Sequence, residues 1–100
     1  MSYPTIKFRG WDCEVQVLRY ANGRPAIQLV DAQTGEPLAR ATVNLPDEYL
    51  SPNEVFIKNY SENEGILDAL VAGGVVVPPH RYVKTGHVRV GQCHLVREVD

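Results

Sequence analysis

Alternation of apolar and polar residues, interrupted at short intervals by turn-forming pairs, is the feature that most narrows what this chain can fold into. In Cys13-Glu14-Val15-Gln16-Val17-Leu18 the odd positions point to one side and the even ones to the other, as a strand with one buried face requires. Ala21-Asn22-Gly23-Arg24 then supplies residues that tolerate the positive φ of a tight hairpin. Pro25 to Asp31 reads as the returning strand, with Ile27 and Leu29 on one face. A second turn, Gln33-Thr34-Gly35-Glu36-Pro37, leads into Leu38 to Leu45, where Ala39, Ala41, Val43 and Leu45 share a face. Thr5 to Arg9 adds a short strand paired across Gly10. The expectation is an antiparallel meander.

The two prolines of Pro46-Asp47-Glu48-Tyr49-Leu50-Ser51-Pro52-Asn53 cannot donate to a sheet ladder, so this stretch is a loop. Glu54 to Lys58 is a short apolar strand. Ser61-Glu62-Asn63-Glu64 then matches a capping box, which predicts a helix starting at Glu62. Ile66, Leu67, Leu70 and Val71 make its apolar stripe, and Gly73-Gly74 supplies a left-handed stop. Val75 to Val77 continues in extended form until Pro78-Pro79. Arg81 to Lys84 and His87 to Glu98 form a terminal hairpin around Thr85-Gly86. Val88 and Val90 have the opposite parity to Cys93 and Leu95, so a bulge at Gly91 or Gln92 is expected to bring all four to one side. The predicted class is α+β: an antiparallel β-sheet meander packed against a single α-helix at about residues 62-72, with a C-terminal β-hairpin.

At 100 residues the chain is long enough for one domain with a real core, and residues 1-100 are read as a single domain. Ten basic and twelve acidic residues leave a net charge of −2, the wrong sign for a domain that lives on phosphate backbones. Direct nucleic-acid binding is therefore not expected. The longest apolar stretch, Gly73 to Val77, falls far short of the roughly 20 residues of a membrane helix, so no membrane partner is expected. The first residues carry no basic region followed by an apolar one. A cytoplasmic location is expected, with Cys13 and Cys93 as buried thiols in a reducing compartment.

Cys13, His80, His87, Cys93 and His94 are all competent metal ligands, but no Cys-x-x-Cys or His-x-x-x-His spacing is present. Cys93 and His94 point to opposite faces of one strand, which also defeats a cysteine-histidine nucleophilic pair between neighbours. His80 or His87 approaching Cys93 through the fold remains the alternative, as a small metal protein or enzyme. No catalytic residue, metal ligand or cofactor is assigned. Gly73-Gly74 lacks the flanking pattern of a phosphate loop. Charge distribution is more informative. Between Asp47 and Asp68 there are six carboxylates and one lysine, a net of −5 in a molecule of −2. Asp47, Glu48, Tyr49, Glu54, Tyr60, Glu62 and Asp68 are the candidate partner-binding residues, an acidic surface with tyrosines interleaved toward which a basic protein is steered. The competing account is a solvated loop beside a helix whose amino end favours acids. Trp11 fits either an interface anchor or a core ring.

The stretches Tyr20-Ala21-Asn22-Gly23-Arg24, Ala41-Thr42-Val43-Asn44-Leu45-Pro46 and Ile57-Lys58-Asn59-Tyr60-Ser61-Glu62-Asn63-Glu64-Gly65 resemble a widespread group of small proteins of phages, plasmids and integrated conjugative elements. The likeness runs from Lys7 to Leu95, with the IKNYSENEG-type segment its most distinctive part. It carries no catalytic residues over. It implies an accessory protein of a mobile genetic element, of the kind that blocks host defence, anti-CRISPR inhibitors included. The expected function is thus a non-enzymatic binding module for a protein with a basic surface, acting as a monomer or homodimer. The alternatives are the cysteine and histidine metal protein or enzyme, and a homo-oligomeric structural component assembled through an edge strand such as Thr5 to Arg9.

Overall fold

The computed structural model describes residues 3–97 and has the α+β architecture expected, with its antiparallel strands divided between two sheets. β1 (Ile6–Phe8), β2 (Trp11–Arg19), β3 (Pro25–Asp31) and β4 (Pro37–Arg40) form the first in meander order. The second contains β5 (Thr42–Val43), β6 (Glu54–Ile57), β7 (Arg81–Thr85) and β8 (Val88–His94), in the order β5-β6-β8-β7. β7 and β8 are the expected terminal hairpin, with Thr85 opposite Val88, though the last strand stops at His94 and its expected end, Glu98, lies outside the described residues.

Ala39, Ala41, Val43 and Leu45 do not share one face, because the chain changes sheets at Ala41. The Ala41 amide donates to the Ile27 carbonyl of β3 (2.8 Å), and its own carbonyl accepts from the Lys58 amide just past β6 (2.8 Å). Ala39 and Ala41 accordingly face the main core, while Val43 and Leu45 pack elsewhere. The Thr42 hydroxyl seals the crossing. It accepts from the Ile27 amide at 3.2 Å and shares a hydrogen bond with the Tyr20 hydroxyl at 2.8 Å.

The main core joins the inner faces of both sheets to α1 (Ile66–Ala72). Cys13, Val15, Ile27 and Leu29 come from the first sheet, Val55, Ile57 and Cys93 from the second, and Ile66, Leu67 and Leu70 from the helix. A second, small core of Phe56, Val83 and Val90 lies on the opposite face of the second sheet, with Val43, Leu45, Leu50 and Tyr60 packed against it. This double burial resolves the parity problem in β8 without a bulge. Both registers of β8 run uninterrupted through Gly91 and Gln92; Val90 serves the small core and Cys93 the large one. The register shift falls instead at Leu29/Val30, between β3 and β4.

The capping box does not form, and α1 starts four residues later than the box predicts. Ser61 has φ 55, and residues Ser61–Asn63 make a 3₁₀ turn in which Glu64 donates to the Ser61 backbone carbonyl and not to its hydroxyl. A tertiary contact overrides the local pattern: Asn63 is 2% exposed and its side-chain amide donates to the Arg40 carbonyl at 2.6 Å. Gly65, at φ 92, turns the chain into the helix, and the cap comes from Asn59, whose side-chain oxygen accepts from the Leu67 amide at 2.9 Å. The other end is as expected. Gly74 takes φ 73, the Gly74 amide donates to Val71 and the Val75 amide to Leu70, the paired bonds of a Schellman stop. Among the described residues no helix is long and apolar enough to cross a membrane.

Candidate functional site

The loop between β5 and β6 carries the first candidate surface. Leu45 and Leu50 sink into the small core from either side of it. Arg24, at the end of the β2–β3 turn, clamps it by donating to the carbonyls of Leu45 (2.7 Å) and Glu48 (2.6 Å). Between these anchors Asp47 is exposed, Glu48 half-buried and Tyr49 73% exposed. Tyr60 packs on the same small core, and Glu62 stands two residues on, held by Lys58 at 2.8 Å. The small core thus gathers Leu45, Leu50 and Tyr60, with Asp47, Glu48 and Tyr49 on the loop between the two leucines. Asp68 is exposed, but on α1, whose packed face belongs to the main core. Glu54 does not belong to this surface: it is 3% exposed. Trp11 is 54% exposed, which removes the core-ring reading.

Glu54 sits instead at the centre of a second constellation, on the outer face of the second sheet. Its cross-strand partner in the β6–β8 register is His94, and β8 also presents Gln92 two residues earlier on the same face. His80 follows Pro78-Pro79, and its amide donates to the Gln92 carbonyl at 3.2 Å, which fixes it beside β8. The Glu54 carboxylate is divided between two environments. Oε1 accepts from the Ser51 amide at 2.9 Å and from the Gln92 side-chain amide at 3.1 Å. Oε2 faces both imidazoles, at 3.0 Å from His80 Nε2 and 3.4 Å from His94 Nε2. The two rings stack with centroids 4.9 Å apart and planes 27° from parallel.

Burial works against a charge on Glu54, yet the bonds from Ser51 and Gln92 and the neighbouring His94 outweigh it and hold the carboxyl below its usual range. Cys93, on the other face of β8, is fully buried, and its thiol is pushed up to about 12, first by burial and then by the Glu54 carboxylate. Such a thiol stays protonated and lacks nucleophilic character. Its side chain points into the main core, on the face of β8 opposite to Gln92 and His94.

No metal ligand was assigned from the sequence, but Glu54, His80 and His94 bring three ligand atoms within 4.8 Å of one another. Sequence reasoning missed this group because Glu54 and His94 lie on strands separated by α1 and β7, and nothing local announces that β6 pairs with β8. No protein family, curated protein or solved structure matches the chain.

Proposed function

We propose that the chain is a non-enzymatic, protein-binding accessory factor of a mobile genetic element, which engages a basic partner through Asp47, Glu48 and Tyr49, flanked by Tyr60 and Glu62. Inhibition of a host defence complex, in the manner of an anti-CRISPR protein, is the sharpest version of this reading. The observation that carries it is Tyr49, 73% exposed on a loop whose backbone Arg24 already fixes at two carbonyls. An aromatic anchor beside carboxylates suits a basic surface, and a loop ordered before contact loses less entropy on binding. The resemblance of residues 57–65 to mobile-element proteins supports the biological setting.

Affinity capture from host lysate with wild-type protein and with a Tyr49→Ala, Asp47→Lys, Glu48→Lys variant tests the reading. A partner held by the wild type, released as salt rises, and lost from a variant with an unchanged circular dichroism spectrum is the expected result. A partner retained equally by both proteins would overturn the role of this loop.

A further inference from the structure

We propose that Glu54, His80 and His94 form a binding site for a divalent transition-metal ion of the zinc class. The site goes beyond the partner-binding reading and does not depend on it. Two independent observations lead there. The first is spacing. Ligand atoms about 2.1 Å from a common ion stand about 3.0 Å apart in octahedral and about 3.4 Å apart in tetrahedral coordination. The two carboxylate-to-imidazole distances here are 3.0 and 3.4 Å. The third, between the imidazoles, is no more than 4.8 Å, and both rings are about half-exposed, so binding would have to draw them closer.

The second observation is how the carboxylate is held. Glu54 is 3% exposed, and the groups that touch its carboxylate are the amide and hydroxyl of Ser51, the Gln92 side-chain amide and the two imidazoles. Buried carboxylates are normally hydrogen-bonded and compensated by a cation, and the two half-exposed imidazoles at Oε2 mark the side from which an ion would reach this one. The side chain is also prepared as a ligand. Ser51 and Gln92 occupy Oε1 and fix the carboxylate plane, which leaves Oε2 as the one oxygen turned toward the imidazoles. A neutral imidazole that carries its proton on Nε2 becomes a ligand by moving that proton to Nδ1, with no change of charge.

Two imidazoles and one carboxylate favour a borderline ion over magnesium or calcium, which take all-oxygen shells. His80 and His94 have side chains 43% and 54% exposed, so the ion enters from solvent and water completes its coordination. Cys93 takes no part, because its side chain lies on the opposite face of β8. Occupation would tie the segment after Pro79 to β6 and β8 at a single point.

The test is a calorimetric titration of the full chain, produced without a polyhistidine tag, with zinc, and an absorption titration with cobalt as the coloured substitute. Saturation at one ion per chain is expected, with visible ligand-field bands for cobalt and no comparable binding of magnesium. Loss of a supporting partner of a ligand typically costs 10- to 100-fold in metal affinity, so His80→Ala and His94→Ala, which each remove a ligand, should weaken zinc by at least about 100-fold. Both side chains are half-exposed, so the fold should survive, and His87→Ala should bind as the wild type does. Absence of saturable zinc binding by the wild type, or unchanged binding by folded His80→Ala or His94→Ala, would overturn the proposal.

Discussion

Replacing Asn59 and Ser61 by alanine, one at a time, separates two accounts of how α1 begins. If Ser61 and Glu64 capped the helix, Ser61→Ala would cost about 1 kcal/mol and Asn59→Ala almost nothing. The structure reverses the order. Asn59 accepts from the Leu67 amide, one of the orphan donors of the first turn, while the Ser61 hydroxyl makes no capping bond. Asn59→Ala should therefore cost about 1 kcal/mol, and Ser61→Ala should stay within about 0.5 kcal/mol. The loss will register on the whole fold, because α1 buries Ile66, Leu67 and Leu70 in the main core and cannot fray alone. For a domain of this size 1 kcal/mol corresponds to about 4–8 °C in melting temperature. Thermal and urea denaturation followed by circular dichroism give both quantities, with the metal state fixed by chelator. If Ser61→Ala destabilises as much as Asn59→Ala, the assignment of the cap is wrong.

Other contacts can be examined in the same way. Asn63→Ala removes the bond to the Arg40 carbonyl and leaves that carbonyl without its partner, so a loss of about 2–3 kcal/mol is expected in urea denaturation; a loss under 1 kcal/mol would argue against the tether. Glu54 has a lower pKa folded than unfolded, so its contribution is complete above the unfolded value near pH 4.3 and disappears as pH falls through the lowered folded value. In chelator, Glu54→Gln should flatten the decline of the wild-type urea midpoint between neutral and strongly acid pH, and parallel profiles would refute the linkage. Cys93 should resist a thiol reagent in the native protein and react only at the rate of unfolding, because burial and the nearby carboxylate keep its thiol protonated; rapid native labelling of Cys93, located by peptide mapping, would contradict this.

What could be read from residue order was whatever depends on near neighbours. Alternation at Cys13, Val15 and Val17 marks β2, turn residues mark the hairpins, and Gly74 marks the helix stop, because each is decided within a few residues. The errors arise where distant segments compete with local pattern. Ser61-Glu62-Asn63-Glu64 has the letters of a capping box, but burial of Asn63 under the Arg40 carbonyl commits the backbone to another path. Val43 and Leu45 continue the alternation of β4, yet Ala41 has already passed the chain to the second sheet. Glu54 looks like one more surface acid until the β6–β8 pairing places it against His94. His80 and His94 were visible as ligands; their shared carboxylate was not.

Residues 58–65 are almost wholly occupied with joining helix to sheet. Lys58 holds Glu62, Asn59 caps α1, Tyr60 fills the small core, Asn63 grips Arg40, the Glu64 carbonyl receives Arg9, and Gly65 swings the chain into the helix. A segment so employed is joinery, and a substitution within it is felt by the helix and by both sheets at once. The exposed Tyr49 ring takes no part in it, so a substitution there leaves the joinery untouched.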